Sequence, residues 1–513
     1  MSRANLAAIL LSLAAVIASY LVADRVFDQM PHIEDEMAYV WQAQALTHGK
    51  VILPSPPDPK SMLVPFVVDY HGQRFGKYPL GWPILLALGV FFNARVWVNS
   101  ILAGLDVWFT YRLGQKLFDD RIALLAALLT VTSPFFLINS GSLLSHPWSL
   151  FLSLAFVLAW LDVFPQHREH EEENKDSLNS VHSVVKSPVW LKVAVAGLSL
   201  GVLAMTRPLT AIGVALPFLV HGFILLWHGD KSTRTTVLTV GLLTAVVAAL
   251  IPLWQFAVTG DPLLNPYTLW WKYDKIGFGP GFGRQAGGHS LYWAWVNLRI
   301  SFEAGWGDFF GWGSASWLFL PFGLAALGRN KRAWLVALVF PSIVLLYMAY
   351  WIGSNLYGPR YYYEGFYSLT LVSAAGMFWL AESVFKQGLA RRWMQGATIF
   401  VGVLLLLYNL LIYLPTRLHE MTGLYGISRA MLAPFETQQA KQLAPVLVIV
   451  HYNKVWTEYG GLLELENADL TSPFIFALSR SPSADSLLVH DYPTRHVVHF
   501  YTDQPNRFYQ SPK

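Results

Sequence analysis

Long apolar runs separated by short polar stretches dominate this sequence. The first covers residues 5–24, and ten more lie near 95–117, 121–139, 147–164, 189–206, 209–227, 236–258, 313–328, 333–352, 364–385 and 396–415. A helix of about 20 apolar residues crosses a hydrocarbon core of roughly 30 Å, and inside that core the backbone must satisfy its own donors and acceptors. The pattern therefore predicts an all-α polytopic membrane protein with about eleven spans. No small-residue cleavage site follows the first run, so it reads as an uncleaved span and not a signal peptide.

The basic residues test this topology. Arg112, Lys116 and Arg121, Lys186 and Lys192, Lys231 and Arg234, Arg329, Lys331 and Arg332, and Lys386, Arg391 and Arg392 all fall on one side of the spans, as the positive-inside rule requires. With Arg3 on the same side, the N-terminus is expected in the cytoplasm and the C-terminus outside. The charged stretch 167–186 is then a cytoplasmic loop with no apolar face to bury, and no chemistry is expected of it.

Three long segments are left on the outer side: 25–94, 259–312 and a tail, 416–513, beyond a membrane domain of 1–415. The tail alternates strand-like runs at 445–452, 473–478 and 496–501 with turn residues, which predicts a small α/β unit. Composition narrows the picture further. Of the residues, 54% are hydrophobic and 13% charged, about half the charge of a soluble domain. Aromatic belts at the membrane interfaces account for 21 Trp, 23 Tyr and 32 Phe. The net charge of +4 sits in short loops and forms no basic face for nucleic acid. With no cysteine, disulfides and thiol catalysis are excluded. No internal repeat, nucleotide-binding glycine fingerprint or helical His pair for a metal is present.

Candidate chemistry lies in the outer segments. On a helix beginning at Glu34-Asp35-Glu36, Ile33, Met37, Val40 and Trp41 share one face while Asp35, Tyr39 and Gln42 share another, which suits a helix lying in the interface. A carboxylate there gains basicity from desolvation, as a general base needs; equally, acidic residues complement a helix N-terminus, and periodicity alone favours that reading. Arg74 and Lys77, interleaved with aromatics between His71 and Trp82, suit a phosphate at headgroup level or simple snorkelling. Arg207, before Pro208, is equally a snorkelling helix end or an intramembrane functional group. His146 precedes Pro147 in a turn, where a structural role outweighs proton transfer. In 259–312 an aromatic cluster, Trp270 to Lys275, is followed by a glycine-rich run with Arg284 and His289, which reads either as a lid over a sugar or as an interface belt with a hinge.

As an ordered set, these pieces resemble the GT-C membrane glycosyltransferases, in particular the protein O-mannosyltransferase and aminoarabinose transferase group (glycosyltransferase family 39-like). The matching residues are Asp35-Glu36-x-x-Tyr39 after the first span, Arg74-Phe75-Gly76-Lys77-Tyr78-Pro79-Leu80, the span opened by Arg95, the turn Ser140 to Pro147, and the segment from Gly197 to Thr206-Arg207-Pro208. The second half matches mainly in hydropathy and in the Gly358-Pro359-Arg360-Tyr361-Tyr362 turn. The resemblance implies an inverting transfer from a polyprenyl-phosphate sugar, with Asp35 as the base deprotonating the acceptor. It implies donor-phosphate contacts from Arg74, Lys77, Arg207 and Arg360, of which Lys77 carries over best. Tyr39, His71, His146, Arg284 and His289 are the remaining substrate-binding candidates. Relatives of the aminoarabinose group carry Glu just before that lysine, where this chain has Gly76, so Asp69, Asp308 and Glu303 join Glu36 as alternatives for the second acid. No cofactor or metal is demanded, because Arg and Lys can neutralise a monophosphate; a divalent metal is compatible with the site. The expected partners are the polyprenyl-phosphate sugar donor, membrane lipids and a lipid, polysaccharide or protein acceptor, at the plasma membrane in the cell envelope. A transporter or flippase of lipid-linked sugars and a non-catalytic scaffold are the competing readings. Transporters often show inverted repeats and broken central spans, and neither is evident here.

Overall fold

The computed structural model describes residues 2–165, 188–382, 387–453 and 455–513. The charged loop expected at 167–186, and with it Lys186, lies outside the described residues, as does Lys386. Helix α1 (Arg3–Arg25) opens on Ser2, whose side chain accepts from the Asn5 N–H. Its Leu6, Leu10, Leu13 and Ile17 are exposed while Ala8, Ala15 and Val22 pack inward. An exposed apolar face recurs on α9 (Pro208–His228), α10 (Lys231–Ala248) and α18 (Gly388–Tyr408). Phe223, Trp227, Leu242, Ile399 and Phe400 all project outward. Such a surface is stable against lipid and not against water. The chain is a multi-pass membrane protein.

Between α1 and α4 (Arg95–Leu117) lie α2 (Glu34–Thr47), strands β1 (Leu53–Pro54), β2 (Val67–Tyr70) and β3 (Gln73–Gly76), and α3 (Gly81–Phe91). The strands form an antiparallel sheet in the order β1-β3-β2, with Asp69 opposite Arg74. The sequence pattern places α2 on a surface, but the structure buries most of it. Met37 packs with Ile427, Leu432 and Phe435 of the tail, while Tyr39, Val40 and Trp41 join the core of the membrane helices. Two partners that are distant in sequence cover both faces of α2, which periodicity within the helix does not register.

The remaining core helices are α5 (Asp120–Val131), α6 (Pro134–Gly141), α7 (His146–Val163), α8 (Val189–Thr206), α11 (Leu250–Thr259), α12 (Tyr267–Trp270), α13 (Leu291–Asp308), α14 (Leu320–Leu327), α15 (Lys331–Ala337), α16 (Val339–Tyr347), α17 (Phe366–Glu382) and α19 (Leu414–Met421). Among the described residues, six helices are singly long and apolar enough to cross a membrane, and three bent pairs raise the number to nine. The difference from about eleven lies in two runs. The 333–352 run is interrupted between α15 and α16, where Pro341 cannot donate to the carbonyl of residue 337, and the 364–385 run is described only to residue 382, as α17. The bent pairs are α3 with α4 (120°), α5 with α6 (58°), and α13 with the stretch 313–327 (95°).

In the tail, β4 (Val446–His451), β5 (Phe474–Leu478), β6 (His496–Tyr501) and β7 (Phe508–Tyr509) form a sheet in the order β5-β4-β6-β7. β4 is parallel to both neighbours, and β7 is antiparallel to β6. β4 and β5 are buried along almost their whole length, which is why they read as continuous apolar runs.

Candidate active site

Asp35 stands in the first turn of α2, where the helix end favours a negative charge. Its Oδ1 accepts from the Tyr78 hydroxyl at 2.5 Å, and its Oδ2 lies 3.3 Å from Nη2 of Arg360. Burial raises the carboxyl's pKa, but Arg360 first, then Lys77, the Tyr78 hydroxyl and Arg207 outweigh it and hold Asp35 below its ordinary value. The position of Arg360 is set by the turn before it. Gly358 adopts φ +66°, and a Cβ there would lie 2.8 Å from the Phe135 ring. The Arg360 N–H then donates to Ser354 Oγ.

Lys77 follows β3 and is buried, with Nζ 3.4 Å from the centroid of the Phe66 ring and 4.9, 5.0 and 5.2 Å from those of Tyr267, Trp271 and Tyr78. Ammonium over ring faces is an attractive cation–π arrangement. Asp274 supplies its countercharge, with Oδ2 at 3.4 Å. Burial pulls the Lys77 pKa down, opposed by Asp274, Asp35 and Glu34. The aromatic cluster of segment 259–312 thus closes on the lysine of segment 25–94.

Arg207 sits between α8 and α9. Its Nε is 3.1 Å from Glu364 Oε1 and 3.2 Å from Thr210 Oγ1, and its Nη2 donates to the Tyr347 hydroxyl at 2.9 Å. The same Glu364 oxygen is 3.1 Å from His146 Nδ1, and Oε2 has no partner among the described residues. Tyr39, one turn along α2 from Asp35, packs its ring at a tilt against Tyr78, centroids 4.5 Å apart, and reaches Ser145, beside His146. Asp35, Tyr39, Lys77, His146, Arg207 and Arg360 therefore form one cluster. Glu364 and Asp274 belong to it but were not singled out from the sequence. A carboxylate opening an apolar run was the available signal for Glu364.

Other expected residues lie elsewhere or are already engaged. Glu36 accepts from the backbone N–H groups of His32, Ile33 and Leu143 at 2.8, 3.2 and 2.7 Å and from the Tyr357 hydroxyl at 3.3 Å. It thereby pins the start of α2 to the turn before α7. Arg74 is spent on Asp69 and the Met62 carbonyl, because β2 and β3 set positions 69 and 74 directly opposite each other. His71 projects from the exposed turn joining those strands, and Arg284 is exposed. His289 is buried against Phe278, with Nε2 2.8 Å from the Met348 carbonyl. Asp308 is held by Arg417 and Tyr413, and Glu303 pairs with Arg299 at the surface. The place of a side chain at Gly76 is filled by Gln42, whose Cδ lies 2.3 Å from where a Cβ would stand.

Comparison with solved structures places this chain in the GT-C fold. The chain matches ArnT from Cupriavidus metallidurans bound to undecaprenyl phosphate with a TM-score of 0.57 at 12% identity, over 96% of this chain and 89% of that one. It matches the same protein in the apo state at 0.56 and 13%, over 95% and 88%. The archaeal oligosaccharyltransferase AglB from Archaeoglobus fulgidus, in complex with an inhibitory peptide and a dolichol-phosphate, matches at 0.50 and 13%, over 95% and 69%. No protein-family model and no curated protein sequence matches the chain. At these identities the likeness is one of fold, and function has to be argued from the site.

Proposed function

We propose that the protein is a glycosyltransferase that moves a sugar from a polyprenyl-phosphate carrier to an acceptor hydroxyl on the outer face of the membrane, with inversion. The observation that carries this reading is the joining of Asp35 to Arg360 and Tyr78 within reach of the fields of Lys77 and Arg207. The acceptor oxygen attacks the anomeric carbon opposite the phosphate and gives its proton to Asp35. The bond from that carbon to the phosphate oxygen breaks, and the oxygen leaves with the electron pair. Lys77, Arg207 and Arg360 stabilise the charge that develops there, the largest contribution such a site makes.

Asp35 is weakly basic while Arg360 and Lys77 face it alone. A donor phosphate that takes up those cations removes the pull on Asp35, so its basicity rises when the carrier is in place. The isoprenoid stays in the bilayer and only the headgroup is desolvated. Fold neighbours solved with undecaprenyl phosphate and dolichol-phosphate support a lipid-phosphate donor. The positive-inside pattern supports a cytoplasmic N-terminus and a tail (416–513) outside, and the membrane proposed is the plasma membrane.

The test is sugar release from a panel of polyprenyl-phosphate sugars by purified protein in lipid, with and without a chelator. Wild type is expected to turn over at least one donor. Asp35→Asn should bind donor without turnover, and Lys77→Ala should lose binding. Binding without turnover by wild type across donors and across protein, lipid and polysaccharide acceptors favours a flippase, and full activity of Asp35→Asn refutes the assigned base.

A further inference from the structure

Asp274 is held from two directions. Its Oδ1 accepts from the Tyr350 hydroxyl at 3.0 Å and from the Trp351 indole N–H at 2.9 Å, which leaves Oδ2 for Lys77. The Lys77 and Asp274 side chains are 3% and 1% exposed. An ammonium has three N–H donors, and among the described residues Asp274 is the only hydrogen-bond acceptor Lys77 has. Its other close neighbours are the rings of Phe66, Tyr78, Tyr267 and Trp271. Rings attract the cation but do not replace the water it has lost.

Resting on the function proposed above, we infer that Asp274 is a positioning residue for donor binding: it keeps the Lys77 ammonium charged and fixed in its aromatic box, with two N–H groups left over for the carrier phosphate. A carboxylate fixed by a tyrosine and an indole does this without following the lysine toward the phosphate. The other charged and titratable groups facing Lys77 are Asp35 and Glu34 on α2, Tyr78 beside it and Tyr267 on α12. With Asp274 neutral, the two α2 carboxylates act only at longer range, and burial favours the uncharged amine.

The experiment is binding of a polyprenyl phosphate methyl ester, a diester of constant charge, to the full chain in lipid nanodiscs between pH 6.5 and 9, for wild type and Asp274→Asn. Asparagine preserves an acceptor for Tyr350 and Trp351 and removes the charge. Wild-type affinity is expected to hold to a higher pH than that of Asp274→Asn. The variant should lose about tenfold in affinity for each pH unit above the lowered lysine pKa, and recover toward wild type at the acid end. In Asp274→Asn/Lys77→Arg the pH dependence should vanish, because guanidinium keeps its proton. A pH-independent loss in Asp274→Asn reduces Asp274 to a structural contact and overturns the inference. Tighter binding by the variant also overturns it, since Asp274 would then compete with the phosphate. If wild type does not bind the ester at all, the proposed function fails and this inference fails with it.

Discussion

Glu36 and Asp35 are adjacent acids in one helical turn, and the structure assigns them opposite consequences on mutation. Glu36 is 1% exposed and accepts four hydrogen bonds, one at Oε1 from the Leu143 N–H and three at Oε2 from the His32 and Ile33 N–H groups and the Tyr357 hydroxyl. In Glu36→Gln the single remaining oxygen does best in the place of Oε2, where it keeps three donors. The amide NH2 then faces the Leu143 N–H, donor against donor. A buried donor left without its acceptor costs about 1–3 kcal/mol, and the surviving bonds lose the reinforcement of the charge. Destabilisation of about 3 kcal/mol is expected for Glu36→Gln, against about 1 kcal/mol for Asp35→Asn, whose side chain is 23% exposed. The assay is thermal unfolding of each variant in matched detergent, followed by donor turnover at a temperature where both are folded. Glu36→Gln should melt early yet turn over donor while folded; Asp35→Asn should melt near wild type and be inactive. A stable, inactive Glu36→Gln would refute the anchoring argument and restore Glu36 as a second acid.

Because Arg360, Lys77, the Tyr78 hydroxyl and Arg207 together outweigh burial at Asp35, this carboxylate stays ionised below the usual aspartate range. The Asp35-dependent acid limb of kcat/KM, which reports the free enzyme, should therefore lie under that range, and a limb above it that disappears in Asp35→Asn would contradict the geometry. The same depressed value means that the ionised form adds stability above the unfolded pKa, and that this is lost as pH falls through the folded pKa. Glu364→Ala should leave Arg207 and His146 without their shared acceptor. A loss of roughly 3–5 kcal/mol, the usual cost of removing one member of a buried pair, is expected in thermal unfolding, together with weaker donor binding; unchanged stability and affinity would show that Tyr347 and Thr210 suffice to hold Arg207.

Membrane class was legible because bilayer insertion depends on length and apolarity, which are local properties of each run. Strands β4 and β5 of the tail were legible for a similar reason, being buried along almost their whole length and so continuously apolar, whereas the two-residue β7 left no such pattern. Asp35 and Lys77 were nameable as candidates from residue type and ordered motifs. Their neighbours were not. Arg74 and Lys77 stand three residues apart and read alike, but strand pairing commits Arg74 to Asp69, while Lys77 emerges past the strand end into the rings of another segment.

What the sequence determined, then, is what each segment can be alone: span, strand, or polar turn with an acid or a base at its end. Which of those acids and bases share a site was decided by tertiary structure. Asp274 meets Lys77 across 197 positions and Glu364 meets His146 across 218. Charges attract through space without a periodic imprint along the chain, and burial, which decides whether a carboxylate acts as base, counter-ion or anchor, depends on what the rest of the fold places over it.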